Sequence, residues 1–220
     1  FSVNALATNL SKPHNILYGP DNVLWITERE GKDIVRIDPK NGTILNSIPI
    51  PNVHQSLAQD GLMGMAFDPH FNNNHYIYVA YTYDAASAGE ELDLRTKITR
   101  FTYDPTTNTI SKPLDLISGL SASSDHNSGR MIFGQDGKLY YTIGDQGKNQ
   151  LALFCLNNLA QKLPTAQQVA TKDWSTYEGK VLRMNPDGSI PDDNPEINGV
   201  KSHIYTYGHR NAQGIAFGPN

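Results

Sequence analysis

Short apolar runs alternate with polar turns along this chain, and the runs resemble one another. The segments VLWIT, YIYVAYTY and KLYYTI are rich in β-branched and aromatic residues, which are typical of β-strands. Each follows a turn rich in Gly, Pro, Asp or Asn, whose backbone preferences suit tight turns. After a variable loop, a second strand closes on another such turn. The pattern predicts antiparallel hairpins that repeat along the chain.

The spacing of the repeats indicates the architecture. Copies begin at Gly19, Asp68, Gly134 and Gly218, so successive starts are 49, 66 and 84 residues apart. Blades of about 40–50 residues, here with growing loop insertions, are typical of a β-propeller, which has about 4 to 8 blades. We therefore predict an all-β propeller. Residues 1–220 would supply roughly three blades and the start of a fourth of one propeller domain, too few to close a ring, and the remainder is expected on another chain or in sequence removed by cleavage.

One apolar segment interrupts the third repeat. Residues 149–163, NQLALFCLNNLAQKL, have a mixed periodicity that is compatible with a short helix. Cys155 lies within this segment and is the only cysteine, so the chain has no internal disulfide and no cysteine zinc cluster. Because its neighbours are apolar, we expect this thiol to be packed and inert.

Charge and hydropathy exclude two classes of partner. The chain has 18 Lys and Arg against 22 Asp and Glu, a net charge of -4, and no dense basic cluster that would follow a phosphate backbone. Its longest apolar runs are far shorter than the ~20 residues that span a bilayer. The sequence therefore predicts neither a nucleic-acid partner nor a membrane span.

Three loops carry polar side chains that a simple turn does not require. Gln59 precedes a glycine-rich strand entry, His126 and Asp145 lie on either side of a strand region, and Arg210 is followed by Asn211. A carboxylate that holds a histidine fixes its tautomer and makes it a competent general base, provided that both loops fold over the same end of the sheet. Arginine suits bidentate recognition of carboxylates or carbonyl oxygens. The structural alternatives are an ordinary connecting turn, a surface histidine and an exposed ion-pairing arginine.

Other chemistries find less support. The sequence has no HExxH motif, no HxH pair and no glycine-rich phosphate loop before a helix. The acidic segment NPDGSIPDDNP, residues 185–195, lacks the ligand spacing of a calcium loop and is better interpreted as a solvated turn.

Taken together, the motifs resemble a known family. The elements DHNSGR, GDQGKNQ and GHRNAQG, in this order, resemble those of the soluble, pyrroloquinoline quinone (PQQ)-dependent glucose dehydrogenases, and the similarity runs from about Leu10 to Asn220. The resemblance implies a six-bladed β-propeller with PQQ in a cleft on one face, of which residues 1–220 would be the N-terminal half. It also implies oxidation of the C1 hydroxyl of glucose or another aldose to the lactone.

The resemblance implies a role for each candidate residue. His126 corresponds to the base that takes the proton of the sugar C1 hydroxyl while hydride passes to C5 of PQQ, and Asp145 to the carboxylate that orients it. Arg210 corresponds to the cation that stabilises charge on the quinone oxygen. Cofactor binding is thereby assigned to Gln150, Arg210 and Asn211, and substrate binding to Gln59 and His126.

Several further expectations follow only from the resemblance. A calcium ion polarises the quinone, with its ligands expected in the missing C-terminal half, so this chain alone should neither hold PQQ firmly nor turn over sugar. The complete protein is expected to be periplasmic or secreted, to be a homodimer and to pass electrons to an acceptor. Ala212 replaces a proline expected after the Arg-Asn pair, which should loosen this loop. A propeller that binds sugar or protein without catalysis remains the alternative, since the fold hosts many functions.

Overall fold

The strands form three four-stranded antiparallel sheets and one short hairpin. The computed structural model describes residues 1–56 and 58–218, without the side chain of Ala152. Sheet 1 contains, in hydrogen-bonded and chain order, β1 (Pro13–Tyr18), β2 (Leu24–Glu28), β3 (Asp33–Ile37) and β4 (Ile44–Pro49). Sheet 2 contains, likewise in chain order, β5 (Leu62–Phe67), β6 (Tyr76–Asp84), β7 (Leu94–Asp104) and β8 (Thr109–Ser121).

Sheet 3 departs from this simple order. It contains β9 (Ser128–Phe133), β10 (Leu139–Ile143), β11 (Lys180–Met184) and, as its fourth strand, β14 (Ile204–Tyr207). The hairpin of β12 (Glu196–Ile197) and β13 (Val200–Lys201) stands between β11 and β14 in the chain. Two short helices, α1 (Phe71–Asn74) and α2 (Ala166–Ala170), lie in connections.

The all-β prediction is confirmed, and the repeated segments are the middle hairpins of the sheets. The three apolar runs coincide with β2, β6 and β10, which pair antiparallel with β3, β7 and β11. The start of a fourth repeat has no strand in residues 208–218, and the last two residues lie outside the described part. No helix among the described residues has the length and apolar character needed to cross a membrane.

The third insertion is less regular and more exposed than expected. In residues 149–163, the short helix is limited to one 3-10 turn, Leu151–Leu153, and the prediction of a packed cysteine was wrong. Cys155 is exposed instead of packed, as are Phe154 and Leu156 around it. The segment is apolar, but its side chains do not share one buried face, and a helix of this kind is stabilised mainly by packing such a face.

The core lies between neighbouring sheets. Between sheets 1 and 2, the fully buried ring of Trp25 makes edge-to-face contacts with Phe67, Phe71 and Tyr103. Between sheets 2 and 3, a second cluster includes the buried rings of Tyr78 and Tyr141. The first strands of the sheets, β1, β5 and β9, contact one another in this order. The loops that follow the sheets therefore converge at one end of the assembly.

Candidate functional site

The loop that carries His126 connects sheet 2 to sheet 3 and is organised by Asn127. This side chain is 2% exposed, donates to the carbonyls of Ser123 (2.6 Å) and Gln59 (3.2 Å), and accepts from the Ser123 amide (3.1 Å). Both His126 and Ser128 adopt left-handed backbone angles, with φ of 50° and 56°. Such angles are unfavourable for residues other than glycine and persist where the surrounding contacts impose them.

Gly144 brings this loop against the end of β10. A Cβ atom at this position would lie 1.8 Å from the carbonyl oxygen of His126, so only glycine permits the approach. The next residue, Asp145, donates its backbone N–H to the carbonyl of Arg210 (2.8 Å). The loops bearing the histidine, the carboxylate and the arginine therefore meet at the same end of sheet 3.

The imidazole and the carboxylate form a close pair. Nδ1 of His126 lies 2.7 Å from Oδ1 of Asp145, whose side chain is 1% exposed. The same carboxylate oxygen accepts from the backbone N–H of Gly147 at 3.0 Å. Because an ionised carboxylate only accepts hydrogen bonds, this contact selects the neutral imidazole tautomer with the proton on Nδ1 and the lone pair on Nε2.

Gln150 joins this pair to Arg210. Its Nε2 lies 3.2 Å from Nε2 of His126 and donates to Oδ2 of Asp125 at 3.0 Å, while its Oε1 accepts from the guanidinium of Arg210. The Arg210 side chain is 57% exposed, and its Nη1 lies 3.8 Å from Oδ2 of Asp145. The imidazole of His126, the amide of Gln150 and the guanidinium of Arg210 are thus in continuous contact, and the guanidinium remains exposed to solvent.

Gln59 and Asn211 lie at the edges of this constellation. Oε1 of Gln59 accepts from the backbone N–H of His126 at 3.3 Å. Oδ1 of Asn211 accepts from the amide and the hydroxyl of Ser128, at 3.2 and 3.1 Å, and from Nε2 of Gln213 at 2.7 Å. All six side chains singled out in the sequence therefore lie in one region of the surface.

A polar cavity of about 280 Å³ adjoins the constellation. It is lined by His14, Arg29, Gln59, Asn127, Ser128, Asn211 and Gln213. Burial, together with the neighbouring charges of Arg130 and Arg29, lowers the pKa of His14 to about 4. A neutral imidazole and a cation thus line the wall of this cavity.

Two polar neighbours of the pair went unnoticed in the sequence. Asp125 accepts from Gln150 at 3.0 Å, and Asn158 donates to Oδ2 of Asp145 at 2.7 Å. The position of Asp125 directly before His126 is the signal that could have identified it. Asn158 lies 13 positions after the carboxylate in the chain, and no sequence pattern links the two.

The donor set fits an anionic quinone better than a metal ion. The exposed guanidinium of Arg210 and the amide of Gln150 are suited to the carbonyl and carboxylate oxygens that PQQ carries. Within the described ranges 1–56 and 58–218, no group of three or more His, Cys, Asp or Glu side chains could hold a metal ion.

Comparison with solved structures defines the class of protein. The chain superposes on the PQQ-bound form of the aldose sugar dehydrogenase from Streptomyces coelicolor with a TM-score of 0.73 at 29% identity, over 95% of this chain and 54% of that one. It also superposes on the soluble aldose sugar dehydrogenase from Escherichia coli in the apo-form, with a TM-score of 0.72 at 26% identity, over 98% and 56%.

The sequence comparison identifies the family. Residues 10–220 match the Glucose / Sorbosone dehydrogenase family model, and the chain belongs to this family. Quinoprotein glucose dehydrogenase B of Acinetobacter calcoaceticus is 52% identical over 222 residues, covering 100% of this chain and 46% of that protein. Aldose sugar dehydrogenase YliI of Escherichia coli is 26% identical, over 99% and 53%. The resemblance found in the motifs is confirmed, and the chain spans about half the length of these relatives.

Proposed function

We propose that this chain supplies the general base and a charge-stabilising cation of a PQQ-dependent aldose 1-dehydrogenase. The observation that carries the proposal is the continuous contact from Asp145 through His126 and Gln150 to Arg210. The printed names of the relatives, a quinoprotein glucose dehydrogenase and aldose sugar dehydrogenases, support the substrate class.

In the proposed reaction, His126 moves the proton. Its Nε2 accepts the proton of the sugar C1 hydroxyl, while Asp145 stabilises the imidazolium through the 2.7 Å contact to Nδ1. When bound, PQQ supplies the two-electron oxidant that accepts hydride from C1, so that the aldose becomes a lactone. The amide of Gln150 contacts Nε2 of His126, so this contact would have to break before the sugar C1 hydroxyl could approach Nε2.

Arg210 would stabilise the negative charge that develops on the quinone oxygen during this transfer. Its guanidinium is exposed on one side and held by Gln150 on the other, so it offers donors to a quinone oxygen without a large rearrangement. Preorganised donors of this kind contribute a large part of many rate enhancements. Gln59, adjacent to the His126 backbone, would contact the sugar, and Gln150 and Asn211 would contact the cofactor.

The remainder of the proposal concerns the complete protein. A six-bladed ring requires further sheets beside those described here, and exposed aromatic side chains at the end of the described chain, Tyr205, Tyr207 and Phe217, offer them an apolar surface. We infer that residues 1–220 form the N-terminal half of this one domain and that the C-terminal half supplies the calcium ligands and completes the cofactor cleft. Homodimerisation, a periplasmic or secreted location and a separate electron acceptor belong to the same proposal.

The test is reconstitution of the complete protein followed by one substitution. With PQQ, calcium and a redox dye, we expect aldose-dependent dye reduction. His126→Gln should lower kcat by about 10²–10⁴, because general base catalysis contributes this much, while PQQ binding is largely retained. His70→Gln, an exposed histidine in another loop, is the matched control and should leave kcat unchanged.

The alternative of a non-catalytic binding propeller makes a different prediction. Such a protein has no requirement for a base held by a carboxylate, and it would show no dye reduction with any aldose. Sugar binding without turnover in the complete, PQQ-loaded protein would refute the dehydrogenase proposal.

A further inference from the structure

The side chain of Asn158 is fixed at both ends of its amide. Oδ1 accepts from the backbone N–H of Ala160 at 2.8 Å, and Nδ2 donates to Oδ2 of Asp145 at 2.7 Å. A backbone N–H requires an acceptor and a carboxylate requires a donor, so only one orientation of the amide satisfies both contacts. The donor is therefore directed at the carboxylate that holds His126.

The segment that carries Asn158 is anchored on sheet 3. The ammonium of the fully buried Lys180, on β11, donates to the carbonyls of Ala160 (2.8 Å) and Leu159 (3.2 Å). The Ala160 carbonyl also accepts from the backbone N–H of Gly208 at 2.9 Å. Gly179 has a φ of 66°, and a Cβ atom there would lie 2.4 Å from Cβ of Ala160. The anchor thus fixes the backbone directly after Asn158, although Asn158 is itself exposed, like the loop that precedes it.

We propose that Asn158 is a positioning residue that fixes the rotation of the Asp145 carboxylate. With Oδ2 held by Asn158, Oδ1 stays directed at Nδ1 of His126, and the imidazole keeps the tautomer whose Nε2 accepts a proton. Without this donor, Oδ2 would be left beside Arg210 at 3.8 Å as its nearest cation, and the carboxylate would be free to turn toward it. The inference deepens the proposed function and rests on it for its kinetic consequences.

Asn158→Asp separates positioning from a purely structural role. The new carboxylate is isosteric and still accepts from the Ala160 N–H, but it no longer donates to Asp145. At neutral pH, we expect kcat to fall about 10- to 100-fold, as for a small misplacement of a catalytic group, with little change in KM for the aldose. As the pH is lowered, the two neighbouring carboxylates share a proton and a donor is restored. Because protonation of the general base lowers activity in both proteins, the expected result is that kcat of the variant rises relative to kcat of the unchanged protein at the same pH.

Two further variants complete this kinetic test. Asn158→Ala removes both contacts and should lose activity without recovery at low pH. Asn157→Asp adds the same charge at the adjacent exposed residue and should behave like the unchanged protein. Equal kcat values and equal pH profiles for Asn158→Asp and Asn157→Asp would overturn the proposal.

A spectroscopic readout is independent of turnover. In ¹⁵N NMR spectra of the complete protein with labelled histidine, we expect the Nδ1–H tautomer of His126 in the unchanged chain and a mixture in Asn158→Ala. An unchanged tautomer in this variant would contradict positioning. A changed tautomer in a protein that oxidises no aldose would support positioning and refute only the proposed dehydrogenase.

Discussion

Sheet 3 contains two arginines that lie in opposite environments. Arg183, on β11, is 4% exposed in its side chain, whereas Arg210, after β14, is 57% exposed. The first belongs to the repeated hairpin and the second to a loop that follows it. Their difference shows which polar groups the repeat uses for stability and which it leaves available to a ligand.

The buried arginine is fully engaged. Arg183 donates to Asp136 at 2.9 Å and to both oxygens of Asp193 at 2.8 Å, and it lies 5.9 Å from the ring centroid of Tyr140. These hydrogen bonds, with those donated to Asp193 as the largest cause, raise the pKa of Arg183, and they lower the pKa of Asp193 to about 2. Such an arginine has few donors left for another molecule.

Sheet 1 repeats this arrangement at the equivalent positions. Arg36 donates to Asp21 at 2.6 Å and lies 4.8 Å from the ring centroid of Trp25, whose indole N–H also donates to Asp21. In both sheets, therefore, an aspartate in the turn, an aromatic residue four positions later and an arginine on the next strand form one cluster. The arrangement belongs to the architecture, whereas the candidate site is built from the loops that follow β4, β8, β10 and β14.

The largest expected effect is on stability. Arg183→Gln removes a buried guanidinium that donates to Asp136, Asp193 and Asn194, and the loss of these hydrogen bonds should lower the free energy of unfolding by about 2–3 kcal/mol. Arg210→Gln, the matched variant at an exposed position, should change it by less than about 0.5 kcal/mol. Urea denaturation of the two variants measures the difference. Equal destabilisation would show that Arg210 is a structural residue as well.

The second largest expected effect is the pH dependence of the free energy of unfolding that His14 produces. The pKa of His14 is lowered to about 4 in the folded chain, whereas an unfolded histidine has a pKa near 6.5. Between these values the unfolded state binds more protons, so the free energy of unfolding falls as the pH falls from about 6.5 to 4, by at most about 3 kcal/mol.

His14→Gln isolates this contribution. The variant loses the ionisable group, so the stability of the unchanged protein should decrease relative to the variant as the pH falls through the same window. His203, whose pKa is also lowered by burial, is present in both proteins and cancels in the difference. A difference that does not vary with pH would mean that His14 titrates alike in the folded and unfolded chains. Denaturation curves at several pH values provide the measurement.

Much of the fold was predictable because its signals are local. Turn residues and β-branched or aromatic runs depend on backbone preference, and they located β2, β6 and β10 within about two residues. The interruption of sheet 3 by the β12–β13 hairpin depends on pairing between β11 and β14, which are distant in sequence, and local preference does not encode it.

The candidate site was predictable to a different extent. The motifs around His126, Asp145 and Arg210 drew attention to residues that the structure brings into contact. Asn158 escaped because its contact with Asp145 depends on the anchoring of its segment by Lys180, a three-dimensional property.

The smallest expected effect concerns Cys155, where the sequence was misleading. An apolar run suits either a buried element or an exposed loop, and composition alone does not separate them; here Leu151 and Phe154 are 87% and 69% exposed. Cys155→Ser should therefore change the free energy of unfolding by less than about 0.5 kcal/mol. In the complete folded protein, iodoacetamide should label the thiol without denaturant. Labelling that requires denaturant would mean that further sequence packs on this loop, and that the apolar run serves an interface instead of the internal core.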